Sequence, residues 1–126
     1  VFNFIIGNND MHLKNYSMFL SGSGWVLSPC YDLLNVKIIL PKDQEDLALL
    51  LGGKKANFEK SYFDRLGDYL NLNAKQVNAV YKRLLTWLPR ANQLIDASFL
   101  NEDRKSQYKN LLAKRVKIFQ TDPHVR

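Results

Sequence analysis

Cysteine is almost absent from this sequence, because Cys30 is the single one among 126 residues. A lone thiol excludes an intramolecular disulfide and a cysteine-based metal site, and it favours the reducing cytoplasm. These residues also contain no secretory leader and no apolar run long enough to cross a bilayer, which argues against a membrane partner. We therefore expect a cytoplasmic protein in which Cys30 is a small buried thiol rather than a redox sensor.

Glycine-rich phosphate-binding loops are missing as well. Gly52 and Gly53 precede two lysines, but their spacing is that of neither a Walker loop nor a G-x-G-x-x-G loop. No strand carries a lysine in a Val-Ala-Ile-Lys context, and no helix supplies the glutamate that would pair with it. These residues alone are therefore not expected to form a complete nucleotide pocket.

The composition suits one folded domain, since 126 residues is a common domain size and 46% of them are hydrophobic. The net charge of +6 is uneven: residues 1–73 hold seven Lys or Arg and eight Asp or Glu, whereas residues 74–126 hold eleven and four. Basic helices can contact nucleic acid or an acidic partner. These charges are spread over helix faces, so we interpret them as solvated, and direct nucleic-acid contact stays open.

Residues 8–15 read Asn-Asn-Asp-Met-His-Leu-Lys-Asn, and an aspartate, Asp32, follows them across a predicted hairpin. Asp10 and Asn15 have the spacing of the kinase catalytic loop H-R-D-x-x-x-x-N, in which the Asp takes the substrate hydroxyl proton and the Asn holds Mg²⁺. Asp32 then falls where a phosphotransferase needs a second Mg²⁺ ligand. One carboxylate and one amide suffice for Mg²⁺ when ATP phosphates and water complete its shell.

The residues on either side of this loop predict a helix before it and a hairpin after it. Val1 to Ile6 is an apolar run that Gly7 ends, as expected for a helix with a left-handed cap. Tyr16 to Leu20 and Trp25 to Leu27 are short strand candidates joined by the turn at residues 21–24. Helix, polar loop, hairpin and acidic residue follow each other in the order found in the C-lobe of a protein kinase.

Two segments resemble the HipA-like serine/threonine kinases. The first is residues 3–17, with Gly7, Asp10, His12, Lys14, Asn15 and Ser17, and the second is Leu-Ser-Pro-Cys-Tyr-Asp-Leu-Leu at residues 27–34. The resemblance implies that Asp10 is the catalytic base and that Asn15 and Asp32 are the Mg²⁺ ligands. It further implies a bacterial toxin–antitoxin setting, with a DNA-binding antitoxin as partner and a translation-related protein as substrate.

His12 and Lys14 belong to the same loop, and their roles are less defined. An imidazole two residues after the base is expected to order the loop through hydrogen bonds rather than to transfer protons. Lys14 either meets the γ-phosphate or neutralises Asp10 and Asp32. Tyr31 is expected to pack, with its hydroxyl hydrogen-bonded.

The remaining residues predict a helical scaffold. Residues 35–46 are interpreted as a loop, and residues 47–51 are ambiguous between strand and helix. Helices are expected at residues 61–70, from residue 74 after an Asn73–Gln76 capping box, and from Glu102 to Phe119 after an Asn101 cap. Pro89 should kink or end the second of these.

We therefore expect a mainly α fold with a small β hairpin, a kinase-like C-lobe spanning residues 1–126. The chain opens at Val1 within an apparent helix, so we expect a fragment that lacks the N-terminal lobe, binds ATP weakly and is inactive alone. A naturally short, degenerate copy stays open. So do a small-molecule phosphotransferase, because antibiotic kinases share a similar loop, and a non-catalytic module that binds protein or DNA.

Overall fold

A computed structural model describes residues 1–120. In these residues, helices and a single antiparallel hairpin are connected by loops. In chain order they are α1 (Phe2–Ile6), β1 (Met18–Ser21), β2 (Gly24–Leu27), α2 (Val36–Ile39), α3 (Lys60–Tyr69), α4 (Ala74–Asp96) and α5 (Glu102–Lys117). A 3-10 turn, Leu13–Asn15, lies between α1 and β1. The predicted fold class, mainly α with a small β hairpin, is confirmed.

Aromatic rings from four parts of the chain form the core. The ring centroid of Phe4 in α1 lies 5.1 Å from that of Phe63 in α3. Phe119, just after α5, lies 5.1 Å from Phe63 and 5.0 Å from Tyr81 of α4. All four side chains are buried, in the tilted and edge-on contacts that aromatic pairs prefer. The three long helices therefore pack around α1, and the loop that leaves α1 starts from a fixed position.

Gly7 ends α1 as predicted, with a left-handed φ of 81°. Its N–H donates to the Phe4 carbonyl, and the N–H of Asn8 donates to the Asn3 carbonyl. A second constraint acts on the same residue. A Cβ atom at Gly7 would lie 2.6 Å from Asn35 Oδ1 and 2.8 Å from Leu111 Cδ2. Only glycine fits both the backbone angle and the space, so Gly7 brings the start of loop 8–15 close to α2 and α5.

The hairpin is slightly displaced from its predicted limits. Its register pairs Met18 with Leu27 and Ser21 with Gly24, so the first strand begins later than Tyr16 and the second begins one residue before Trp25. Large apolar side chains of both strands, Met18, Phe19, Leu20, Trp25 and Leu27, are exposed. The hairpin therefore extends from the helical core rather than covering it.

The caps of the long helices confirm the predictions. Asn73 and Gln76 form both hydrogen bonds of a capping box at the start of α4, and Asn101 accepts a hydrogen bond from the backbone N–H of Arg104 at the start of α5. α5 ends at Lys117 rather than Phe119, because the last backbone bonds, such as that from Phe119 to the Val116 carbonyl, have 3-10 spacing.

Three expectations about local structure are wrong or incomplete. α4 continues past Pro89 to Asp96, so the alternative in which Pro89 ends this helix is wrong. The buried residues Ala91 and Ile95 pack into the core and outweigh the one missing hydrogen bond. The predicted loop at residues 35–46 contains the short helix α2, which Asn35 caps. Residues 47–51 are neither strand nor helix, apart from an isolated bridge between Leu51 and Lys54.

The prediction that Cys30 is a buried thiol is also wrong, since Cys30 is exposed. The residues on either side of it, Pro29 and Tyr31, are exposed as well, so the segment between β2 and α2 runs over the surface. In residues 1–120, none of the helices is both long enough and apolar enough to span a membrane.

Arg115 of α5 is a buried cation, with only 5% of the residue exposed. Its guanidinium donates to the Phe4 carbonyl of α1 and to the Asp46 carboxylate, and it lies 4.5 Å from the centroid of the Phe4 ring. Burial lowers the pKa of Arg115, and the Asp46 carboxylate opposes that shift. Lys37 Nζ lies 3.5 Å from the same carboxylate. Arg115 therefore joins α5, α1 and the segment that follows α2.

Replacing this cation should destabilise the fold. Arg115→Met leaves the Phe4 carbonyl and the Asp46 carboxylate without their donor, so we expect unfolding in urea to require about 3 kcal/mol less free energy than in the unaltered chain. Arg104→Met removes an exposed arginine of the same helix and should change stability by less than about 0.5 kcal/mol. Equal losses in the two variants would contradict a supporting role for Arg115.

Gly7 can be tested against a glycine that has nearly the same backbone angle. Gly53 has a φ of 83°, but a Cβ added there would meet no atom within 4 Å. Gly53→Ala should therefore cost about 1 kcal/mol through backbone strain alone. Gly7→Ala should cost about 3 kcal/mol, because the methyl group also displaces Asn35 or Leu111. Urea unfolding of both variants measures the difference, and an equal loss would show that the close packing does not matter.

Candidate active site

Asn15 lies at the centre of the predicted site. It ends the 3-10 turn and is 7% exposed. Its Nδ2 donates to the Asp10 backbone carbonyl at 3.1 Å and to Asp32 Oδ2, also at 3.1 Å. The structure therefore brings three predicted site residues together, although Asp32 lies 17 positions after Asn15 in the sequence.

Asp32 has a left-handed backbone, with a φ of 55°. Aspartate adopts this conformation more readily than most residues other than glycine, and isolated left-handed residues are common in functional loops. The side chain is exposed, and its backbone carbonyl accepts a hydrogen bond of 3.4 Å from Asn8 Nδ2. This backbone turn presents the carboxylate to Asn15.

Two oxygen atoms at this point have no donor among residues 1–120. Both amide hydrogens of Asn15 are used on Asp10 and Asp32, and within residues 1–120 neither Asn15 Oδ1 nor Asp32 Oδ1 accepts a hydrogen bond. A carboxylate and an amide oxygen are the ligand types that Mg²⁺ prefers. The described residues contain no group of three or more His, Cys, Asp or Glu side chains that could hold a metal ion. A cation at Asn15 and Asp32 would therefore take its other ligands from water or from a bound phosphate.

The Asp10 carboxylate faces solvent, with 57% of its side chain exposed, and it is restrained by His12. His12 Nε2 lies 2.8 Å from Asp10 Oδ1, and the His12 backbone N–H donates to the Asp10 carbonyl at 3.0 Å. Asp10 Oδ2 accepts no hydrogen bond from the described residues. One carboxylate oxygen is thus held in place by the imidazole, while the other is available to a ligand.

Lys14 is exposed, and its ammonium group forms no ion pair with any carboxylate of residues 1–120. The expected alternative in which Lys14 neutralises Asp10 and Asp32 is therefore not observed. The Lys14 carbonyl accepts a hydrogen bond of 3.3 Å from the hydroxyl of Tyr31, whose ring is largely exposed. Tyr31 is hydrogen-bonded as predicted, and it connects loop 8–15 to the segment that carries Asp32.

Asn8 and Asn9 support the loop through partners far along the chain, which the sequence did not predict. Asn8 is 1% exposed, and its Oδ1 accepts from the Asp10 backbone N–H at 3.2 Å, while its Nδ2 bonds the Asp32 carbonyl. Asn9 is 7% exposed, and its Nδ2 donates to Asp43 Oδ2 at 2.7 Å and to the Glu45 carbonyl at 2.8 Å. A pair of asparagines in a loop indicates only a turn, and nothing in the sequence identifies partners so far along the chain.

Asp43 belongs to an acidic segment, residues 43–46, that holds Asn9. Its carboxylate accepts a hydrogen bond of 2.9 Å from the Glu45 backbone N–H in addition to that from Asn9. These two donors, and then the charges of Lys37 and Lys55, hold the pKa of Asp43 below its usual value. The carboxylate therefore stays ionised at neutral pH and keeps its hydrogen bond to Asn9 of loop 8–15.

Asp10 and Asn15 thus lie on a loop between a capped helix and a hairpin, and Asp32 meets Asn15 after the hairpin, in the order that the sequence predicted. The sequence profile of the HipA-like C-terminal domain matches residues 1–92, and the chain belongs to this family.

Two relatives come from Shewanella oneidensis MR-1. The serine/threonine-protein kinase toxin HipA is 42% identical over 45 residues, which are 36% of this chain and 10% of that protein. The structure of HipA, HipB and its operator DNA, from a toxin–antitoxin system, matches this fold with a TM-score of 0.76 at 26% identity. That match covers 92% of this chain and 29% of the other, so the chain spans less than a third of its structural relative.

The link between Asn9 and Asp43 predicts a change in titration. Asn9→Ala removes one of the two main donors to the carboxylate, so the pKa of Asp43 should rise toward its usual value. Because the pKa is lowered in the folded chain, the stability that Asp43 contributes is present above the usual carboxyl pKa and is lost as the pH falls through the lowered value. NMR titration of the Asp43 carboxyl carbon measures the shift. Asn110→Ala, at an exposed position of α5, should leave it unchanged.

Proposed function

We propose that this chain is the C-terminal lobe of a HipA-like serine/threonine protein kinase, which transfers the γ-phosphoryl group of ATP to a protein hydroxyl. The observation that carries the proposal is the contact of Asn15 with both Asp10 and Asp32, at 3.1 Å in each case. Membership of the HipA-like family favours a protein kinase over the small-molecule phosphotransferase and the non-catalytic module considered above.

Asp10 is the base in this proposal. Its carboxylate is exposed, and its Oδ2 accepts no hydrogen bond from residues 1–120, so a substrate hydroxyl can donate to Oδ2 and pass its proton there. His12 binds the other oxygen and restricts rotation of the carboxylate. His12 then acts as a positioning residue for the base.

Asn15 and Asp32 fit a magnesium site, because each has an oxygen that accepts no hydrogen bond from the described part of the chain. Bound Mg²⁺ neutralises charge on the nucleotide phosphates during phosphoryl transfer. The hydrogen bond between the two side chains sets their separation before any ligand arrives, and Asn8 fixes the backbone of Asp32. Lys14, exposed and free of ion pairs within residues 1–120, is available to a γ-phosphate.

The partners follow from the relatives. HipA of Shewanella oneidensis is a kinase toxin, and its structure was obtained with HipB and operator DNA. We propose that this chain serves a toxin–antitoxin system of the same type, with a DNA-binding antitoxin and a translation-related protein substrate. Assembly with operator DNA in a bacterium would place it in the cytoplasm.

In the complete kinase to which this lobe would belong, Asp10→Asn and Asp32→Asn should impair different steps, turnover and Mg²⁺-dependent ATP binding respectively. Asp10→Asn keeps the size of the side chain but removes the proton acceptor, so turnover should fall at least about 100-fold while Mg²⁺-dependent ATP affinity stays nearly unchanged. Asp32→Asn should weaken Mg²⁺-dependent ATP binding, because a neutral amide holds a hard cation less well than a carboxylate.

Steady-state phosphorylation of a protein substrate and calorimetric titration with ATP and Mg²⁺ measure the two effects. Asp68→Asn is the matched control, because Asp68 is an exposed aspartate on α3, and it should change neither quantity. Unaltered turnover in the Asp10→Asn variant would refute the role of loop 8–15. Unaltered ATP binding in the Asp32→Asn variant would refute the magnesium site.

A further inference from the structure

A cavity of about 450 Å³ is lined by residues of α5 and of the segment 37–46. Its volume is within the range of sites that hold small molecules. None of Asp10, Asn15 and Asp32 lines it, so the cavity is separate from the candidate active site.

Three cations line this cavity, and their N–H groups are only partly used. Arg115 is 5% exposed, and within residues 1–120 its guanidinium forms two hydrogen bonds, to the Phe4 carbonyl and to the Asp46 carboxylate. A guanidinium has more N–H donors than these two bonds require. Lys37 donates to the Asp43 carbonyl at 2.8 Å. Lys114 is exposed and forms no ion pair with the carboxylates of residues 1–120.

Two carboxylates also line the cavity, and each of their oxygens already accepts a hydrogen bond. In Asp43, Oδ1 accepts from a backbone N–H at 2.9 Å and Oδ2 accepts from Asn9 Nδ2 at 2.7 Å. In Asp46, Oδ1 accepts from Arg115 and Oδ2 accepts from the Asn57 backbone N–H at 3.1 Å. The cavity therefore has spare donors, whereas its acidic oxygens are occupied.

The charges of the lining favour a ligand with one negative charge. Three cations and two carboxylates leave an excess of one positive charge in the cavity. A carboxylate would balance this excess, and its two oxygens match the planar fork of a guanidinium. A phosphate monoester carries nearly two negative charges at neutral pH, and Asp43 and Asp46 would repel the second one.

Apolar side chains complete the lining. Phe4 and Phe58 belong to the buried core, where their ring centroids lie 6.0 Å apart in an edge-on contact. Leu111 of α5 and Ile118 at its C-cap are half-buried. An apolar group placed against these side chains is removed from water, which is favourable in proportion to the area covered.

We propose that this cavity binds a small monocarboxylate with an apolar body. The carboxylate accepts hydrogen bonds from the remaining N–H groups of Arg115 and from Lys114, and the apolar body packs on Phe58. The site does not depend on the proposed kinase activity. A bound ligand is nevertheless connected to loop 8–15, because Asp43 lines the cavity and accepts a hydrogen bond from Asn9.

NMR titration of the chain with 3-phenylpropanoate, which has one carboxylate and an aromatic ring, tests the ligand class. The backbone amide signals of Lys37, Asn57 and Lys114 report on the cavity, and we expect saturable binding in the low millimolar range, as for other ligands of this size. 3-Phenylpropanamide lacks the charge and acetate lacks the apolar body, so each should bind at least about tenfold more weakly. Phenyl phosphate, with its second charge, should also bind more weakly than 3-phenylpropanoate.

Variants at two exposed positions of the lining locate the ligand. Lys114→Gln should weaken binding of 3-phenylpropanoate about threefold, because an exposed charge contributes modestly. Gln44→Trp places an indole at the edge of the cavity and should abolish saturable binding. Lys117→Gln and Gln93→Trp are the matched controls, because both residues are exposed and neither lines the cavity. The controls should leave the affinity unchanged.

Several results would overturn the assignment of this site. They are the absence of saturable binding, equal affinity for 3-phenylpropanoate and its amide, tighter binding of phenyl phosphate, and equal effects of Lys114→Gln and Lys117→Gln. Saturation with 3-phenylpropanoate should also shift the side-chain amide signals of Asn9, and signals that stay in place would refute the connection with loop 8–15. Turnover and ATP binding of the Asp10 and Asp32 variants test the proposed kinase function separately, so either proposal can fail alone.

Discussion

The geometry of the site depends on a cation buried in the last helix. Removing a guanidinium group from water is unfavourable, so Arg115 is stable in its position only while both the Phe4 carbonyl and the Asp46 carboxylate accept its hydrogen bonds. Phe4 precedes loop 8–15 and Asp46 ends the acidic segment that holds this loop. Arg115 therefore fixes both α1, from which loop 8–15 leaves, and the acidic segment that contacts this loop.

Hydrogen bonds carry this support from Arg115 to the base. Lys37 contacts Asp46 and donates to the Asp43 carbonyl at 2.8 Å, and the Asp43 carboxylate accepts from Asn9, next to Asp10. Each such bond adds about 1 kcal/mol net, but a buried asparagine left without partners is more unfavourable than that.

The profile match to the HipA-like domain ends at residue 92, whereas the structural match covers 92% of the chain. Helix packing thus extends further along the chain than the recognisable sequence.

Asn8 and Asn9 hold Asp10 in position through contacts with two different parts of the chain. Asn8 connects the loop to the backbone of Asp32, on the side of the amide–carboxylate pair, and Asn9 connects it to the acidic segment, residues 43–46. Under the proposed function the base must meet a nucleotide on one side and a protein hydroxyl on the other.

The sequence by itself determined the features whose partners are close along the chain. The left-handed cap at Gly7, the Asn73–Gln76 capping box and the Asn101 cap satisfy backbone groups within four residues, so local pattern suffices to predict them. The motifs at residues 3–17 and 27–34 likewise identified the family, which the profile match confirms. Local pattern is not sufficient at Pro89. Proline disfavours a helix interior, but α4 continues through it because the helix packs on the core.

Only the tertiary structure decided the contacts between distant segments. Asn9 and Asp43 are 34 positions apart, and Arg115 lies 111 positions from Phe4, so no local pattern specifies these pairs. The exposure of Cys30 and the contact of Asn9 with the acidic segment, residues 43–46, arise in the same way, from how α2 and the segments around it pack against loop 8–15. Burial and charge pairing are properties of the packed chain, because they depend on which side chains exclude water from one another.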